Sequence, residues 1–570
     1  MTNGYICENG EWVNASADKA NLFAKNFRDK AELPQESVDC PYFGTPDAEF
    51  EDFVVLRTRY TEKLLRELDE NKATGPDHIP AKVLKEIAKE LALPFTILCR
   101  RLWRESCWPT VWKLHLICPL YKRGSAFMPK NYRGIHLTAV LSKVAERVIG
   151  RKLLSILHTG KFGHCQWAFT PGLSSRDLVT ATVMMWILAF CTGNKIGTFL
   201  GDITGAFDRV FKAYLLAKLH KAGVGAQYLN FLDAYLEPRR AAVVVEGVRS
   251  DEFTIDNSVF QGTVLGPPLW NVFFEDVTPT AASTGGKPAE FADDLTVSKK
   301  FPKNVSNAEI KRDLQICRTR VHAWGRADRV EFDPEKEHLV VLHPVFGEGD
   351  AFKYLGCFID CKLTMREAVD KILSQIRPKV HAILRTRVHY SIQDLIGQFK
   401  THVWGHMEYQ NGAIFHASDY ILQKLDNVHT HFLTELGLSQ AQAFEDYNFA
   451  PPCLRRDIGM LGMLHKRVLG QGHPIFQELL PFHLDARGYL HAGQHSKQLY
   501  GHLMEIQFHH GFFFRSIFAM VYVYNRLPQH VVDCTTISEF QAKLTLIAKM
   551  ACQLGDPKWM GRFSCRDAVY

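Results

Sequence analysis

Phe291-Ala292-Asp293-Asp294-Leu295-Thr296-Val297 is the stretch on which the reading of this chain turns. Apolar residues flank two adjacent acids, a pattern of strand, tight turn and second strand. Neighbouring carboxylates repel, so one is driven towards protonation unless a cation neutralises both. A divalent ion that takes oxygen ligands, Mg²⁺ above all, supplies that charge. Asp-Asp on a turn is by itself most often just solvated, so the weight of the pair depends on the rest of the chain.

Asp202 adds that weight. It follows Ile196-Gly197-Thr198-Phe199-Leu200-Gly201, which reads as a buried strand. An unpaired acid at the end of an apolar strand is costly to bury. Carboxylates from two strand regions can hold two metal ions roughly 3.5–4 Å apart, the clamp used for phosphoryl transfer.

Several further segments, in a fixed order, carry a family resemblance. They begin with Lys72-Ala73-Thr74-Gly75-Pro76-Asp77, Pro119-Leu120-Tyr121-Lys122-Arg123-Gly124 and Asn131-Tyr132-Arg133-Gly134-Ile135. Gln166-Trp167-Ala168-Phe169 with Ser174-Ser175 comes next, then Asp202 with Phe207. Gln261-Gly262-Thr263-Val264-Leu265-Gly266-Pro267, the Asp293-Asp294 pair and Lys353-Tyr354-Leu355-Gly356 complete the series. Together they resemble the reverse transcriptase of non-LTR (LINE-type) retrotransposons. The resemblance implies an α+β right-hand polymerase with fingers, palm and thumb, an RNA template, a DNA primer and dNTP substrates. Asp202, Asp293 and Asp294 would be the catalytic Mg²⁺ ligands, with Asp202 and Asp293 the primary ones. Phe207 would lie against the sugar C2′ and select dNTPs, and Gln261 and Gly262 would open the nucleotide-binding loop. Lys122 and Arg133 would meet the triphosphate, and Lys336 would act near the leaving pyrophosphate. The chain departs from the family at Phe260, where Pro is usual, and at Pro268, where an aliphatic residue is common.

Charge agrees with a polyanionic partner. The net charge of the 570-residue chain is +7, yet residues 97–160 alone hold twelve Lys or Arg against two acids. A local surplus of that size favours nucleic acid. No apolar run approaches the ~20 residues of a membrane span. The fourteen cysteines lack paired or zinc-finger spacing, so free thiols and an intracellular setting are expected. Nuclear action is implied by the resemblance alone.

Strands and helices mix without a βαβ repeat, an α+β pattern. Helices are expected from Ser16, with Ser16 as N-cap, over Thr61–Leu68, from Ile79 to about Leu91, over Thr138–Leu154, over Leu178–Phe190 and over residues 306–325. Prolines 34, 41 and 46 mark irregular chain. The expected divisions are an N-terminal connector (1–59), fingers and palm (60–361), a helical thumb (362–450) and a C-terminal region without an assigned role (451–570). No endonuclease fits before residue 60 and no zinc knuckle follows, so a fragment, or a chain served by a separate endonuclease, is expected. Two alternatives remain: a decayed or repurposed nucleic-acid-binding protein, and an intron-type reverse transcriptase. The sequence does not fix the oligomeric state.

Overall fold

The computed structural model describes residues 6–8, 11–32, 44, 54–122, 124–158, 165–484 and 495–566. Pro34, Pro41, Pro46 and Arg123 lie outside them. Strands and helices mix as the sequence implies. The central element is a four-stranded antiparallel sheet in the order His338–Leu342, Asn194–Gly201, Asp294–Pro302, Lys287–Phe291. Side chains alternate across it with the period of two expected of a strand. Phe199, Leu295, Val297 and Val341 enter one apolar core, and Ile196, Leu200, Val340 and Leu342 enter another. The sheet is therefore buried on both faces, which explains its near-continuous apolar runs.

Helix Asn307–Ala327 covers the first face, started by a capping box between Ser306 and Glu309. Gly197 lets it in, because a Cβ there would stand 2.6 Å from Ile310 Cγ2. Helix Ser175–Cys191 covers the second face, capped by Ser174, and its Trp186 indole donates to Ser298 Oγ at 3.2 Å. A second sheet joins Leu114–Tyr121 to Tyr132–Leu137 antiparallel and to Arg239–Val245 parallel, with Phe253–Ile255 antiparallel to the last. Among the described residues the regular elements from Arg366 onward are helical.

Three sequence expectations need correction. The helix expected from Ile79 to Leu91 is two, Ala81–Glu86 and Ala88–Arg104, and the second runs through Pro94. Pro94 falls in its second turn, where tertiary packing of Ala92, Phe95 and Cys99 outweighs the lost hydrogen bond. The long helix over 138–154 divides at Gly150 into Val140–Ile149 and Arg151–His158; a Cβ at Gly150 would stand 2.8 Å from Leu265 Cδ2. Ser16 does not cap its helix: Ala15 occupies the N-cap position, and the Ser16 hydroxyl donates to Glu246 at 2.6 Å. The basic surplus over 97–160 is partly committed to the fold. Arg100 donates to the Leu56 carbonyl, Arg101 pairs with Glu105, Lys113 pairs with Glu237, and Arg151 lies over the Tyr60 ring.

Candidate active site

Register brings the acids together. Leu295 stands opposite Gly201, so one further residue sets Asp202 alongside Asp294 at the same end of the central sheet. Asp293 occupies the turn between the two strands, after Ala292 in the left-handed conformation (φ +60°). A non-glycine residue there needs outside support. Gln166 gives it: its side-chain oxygen accepts the Ala292 amide at 2.8 Å and its nitrogen donates to the Ala292 carbonyl at 3.2 Å. The Trp270 indole donates to that same carbonyl at 2.9 Å.

The electrostatics are those of crowded, half-buried carboxylates. Burial and the nearby Asp202 push Asp293 up from the usual carboxylate range. Burial, Asp293 and Asp202 push Asp294 up to about 7. Lys122 and Lys336 act in the opposite sense on both. Lys336 Nζ sits 2.5 Å from Asp202 Oδ2 and 2.6 Å from Asp333. The chain delivers it there through Asp333, whose amide donates to the Asp202 carbonyl at 2.9 Å, while Thr204 donates to the Glu331 carbonyl at 2.8 Å. Among the described residues no three His, Cys, Asp or Glu side chains already stand gathered as a metal cage. An all-oxygen donor set in which Asp202 and Asp293 raise the proton affinity of Asp294 is nevertheless the chemistry a hard divalent cation relieves.

Phe207 is half-buried, stacked on Trp270 at 5.5 Å and edge-on to Phe169 at 5.8 Å. Its carbonyl accepts from Val259 and from the Ser258 hydroxyl, which ties it to the segment before Gln261. Gln261 reaches Asp208 at 3.5 Å, and burial pushes Asp208 up to about 6 against the pull of Lys30 and Arg209. Gly262 has φ +89°, and a Cβ there would stand 2.5 Å from the His136 carbonyl. Phe260 has φ +48°, a value that proline, locked near −65°, cannot take; the departure from the family pattern thus sets this loop's backbone. Pro268 lies in the first turn of helix Gly266–Phe274, where a missing N–H is harmless. Lys122 is exposed and within electrostatic reach of the acid pair. Arg133 is exposed opposite Leu120 in the second sheet and forms no ion pair with the acids among the described residues.

Sequence reasoning did not single out Asp333, Asp208, Lys30, Trp270 or Glu290. Asp333 and Lys336 share one turn, and their i, i+3 spacing was the available signal. Lys30 had none, because it reaches the site from the N-terminal helix through the Lys130 and Tyr132 carbonyls.

The family model for reverse transcriptase (RNA-dependent DNA polymerase) matches residues 120–359. The chain is similar to the probable RNA-directed DNA polymerase from transposon X-element of Drosophila melanogaster, 28% identical over 427 residues, 69% of this chain and 46% of the relative. It is 28% identical to the probable RNA-directed DNA polymerase from transposon BS of the same organism, over 63% of this chain and 42% of the relative. To the RNA-directed DNA polymerase from mobile element jockey of Drosophila funebris it is 24% identical, over 69% and 45%. The chain thus spans under half the length of these curated relatives.

Proposed function

We propose, from the premise that this chain carries a reverse transcriptase domain of the non-LTR retrotransposon class, that it copies an RNA template into DNA from a primer 3′-hydroxyl and dNTPs. The observation that carries the proposal is the meeting of Asp202 with Asp293 and Asp294 at one end of the central sheet. In this reading the molecule is a right hand: fingers and palm over 60–361, thumb over 362–450, an N-terminal connector over 1–59 and a C-terminal region over 451–570. Its setting is nuclear.

Asp202, Asp293 and Asp294 would hold Mg²⁺, which when bound makes the primer hydroxyl a better nucleophile and offsets charge on the leaving pyrophosphate. Lys336, held on Asp202 here, is placed to turn towards a triphosphate once Asp202 has another cationic partner. Lys122 and Arg133 supply further positive charge to the triphosphate. Phe207, fixed by Trp270 and Phe169, presents its ring to the sugar, where a 2′-hydroxyl would clash. Gln261 and Gly262 let backbone approach the nascent base pair, since glycine carries no side chain to obstruct it.

Primer extension on an RNA template with dNTPs and Mg²⁺, wild type against Asp293→Asn, tests this. Loss of about 10³-fold or more in the variant is expected, the equivalent of several kcal/mol of transition-state stabilisation. Binding of template–primer by a wild type that does not extend would instead mark a repurposed nucleic-acid-binding protein.

A further inference from the structure

Beneath the Gln261–Gly262 loop lies a buried polar cluster. Glu146, on helix Val140–Ile149, is 1% exposed. Its Oε2 accepts the Val264 amide at 2.6 Å, the Leu265 amide at 3.0 Å and the Tyr235 hydroxyl at 3.2 Å. Arg239, also 1% exposed, lies 4.6 Å over the Phe260 ring and 5.1 Å over that of Tyr235. Its Nη2 donates to the Tyr235 carbonyl, while Nε and Nη1 find no acceptor among the described residues. His115 packs edge-on to Phe260 at 5.3 Å, and its Nδ1 stands 3.1 Å from that of His136. Burial pushes both imidazoles well down, so the pair is neutral, one nitrogen donating and the other accepting. The carbonyl of His136 is the atom against which Gly262 is pressed.

The loop is thus held at three points in six residues: Phe260 between Arg239 and His115, Gly262 on His136, and Val264–Leu265 on Glu146. Two buried amides converging on one carboxylate oxygen fix backbone more firmly than a neutral acceptor does. A buried carboxylate without compensation is costly. Here burial holds the Glu146 carboxyl above its usual range, and the amides, the Tyr235 hydroxyl and the Arg239 charge offset part of that cost. The loop returns part of that compensation, because the amides of Val264 and Leu265 belong to it.

Resting on the polymerase reading, we propose that Glu146, with Arg239 as its counter-charge, is a positioning residue that sets where Gln261 and Gly262 stand and so sets the affinity for the incoming nucleotide. No atom of Glu146 touches the nucleotide; the effect is transmitted through the backbone from Val264–Leu265 to Gln261.

Two measurements on the full chain test it. Hydrogen–deuterium exchange over 260–266 should rise at least tenfold in Glu146→Ala and be largely restored in Glu146→Gln, whose carbonyl still accepts. Unchanged exchange in Glu146→Ala overturns the proposal without bearing on catalysis. In primer extension, Glu146→Ala should raise the dNTP KM about tenfold, with a smaller change in kcat and in template–primer affinity. Glu146→Gln should fall between it and the wild type. A lowered Tm with an unchanged dNTP KM means that Glu146 is only structural, and overturns the proposal. A wild type that does not extend overturns the polymerase reading, and the nucleotide role of Glu146 with it.

Discussion

At Phe207 the packing of the core meets the sugar selection proposed above. Its ring is stacked on Trp270 and edge-on to Phe169, and its carbonyl is tied to Ser258 and Val259. A ring held on that many sides cannot swing away from a sugar, which is what discrimination by exclusion needs. Phe207→Val should keep DNA synthesis with dNTPs and raise incorporation of rNTPs by about 10–200-fold, the range that one steric contact of ~1–3 kcal/mol provides. Parallel extension with dNTPs and rNTPs reads it, and equal discrimination in both proteins would reduce Phe207 to a packing residue. At this scale the sequence carried much of the candidate site. Phe207 is linked to the acid turn through Trp270, which donates to the Ala292 carbonyl, and to the segment before Gln261 through Val259. What sequence could not carry is partnership: nothing in Lys336 foretold its seat on Asp202, because that contact depends on the pairing of residues 202–204 with 331–333. Arg133, expected on the triphosphate, stands opposite Leu120 in the second sheet and among the described residues makes no ion pair with the acids.

Elements carry the acids into place, and one of them hides a titrating group. Strand Lys287–Phe291 was legible as the strand leading into the acid pair, but it includes Glu290, 0% exposed. Glu290 accepts from the Thr278 hydroxyl and from Gln166 at 3.4 Å, beside the turn that Gln166 clamps. Burial pushes its carboxyl up to about 8, against ~4.3 for an unfolded glutamate. Between those values the folded chain keeps a proton that the unfolded chain has lost. Stability therefore falls as pH rises from about 4.3 through 8, by at most ~1.4 kcal/mol per pH unit for one proton. Glu290→Gln removes this contribution and leaves the other titrating groups unchanged. The drop in Tm between pH 5.5 and pH 8 should accordingly be smaller in Glu290→Gln than in the wild type; an equal drop would show that Glu290 is ionised in the fold. The breaks at Ile87 and Gly150, like this buried acid, escaped the sequence because helical periodicity continues across both. A Cβ at Gly150 would stand 2.6 Å from the Glu146 carbonyl and 2.8 Å from Leu265, so the break falls where only glycine fits.

On the scale of the whole molecule, the C-terminal residues belong to the core that backs the site. Helix Ser175–Cys191 covers the second face of the central sheet, and its outer side packs against helices Ile475–Leu479 and His510–Phe514. The Cys191 carbonyl accepts from Gln507 and Phe508, and Trp167, next to the Gln166 clamp, stacks on His473 at 4.1 Å. Phe513, Phe518, Met520, Val521 and Tyr524 are all 0% exposed in the same core as Ile196, Leu200 and Leu342 of the sheet. Each large side chain stripped of its cover forfeits about 1.5–3 kcal/mol, and a domain's whole stability is of order 5–15 kcal/mol. Removing residues 451–570 uncovers many more such side chains than that margin can absorb. A chain ending at residue 450 should therefore lose the cooperative thermal transition of the full chain and elute from size exclusion as aggregate, even though Asp202, Asp293 and Asp294 are all retained. A truncated chain that stayed monomeric and melted within a few degrees of the full one would make the C-terminal helices a separable appendage. The aggregated outcome would make them the rear wall of the site, holding helix Ser175–Cys191 against the sheet and, through Trp167 and Gln166, the Asp293 turn in its strained conformation.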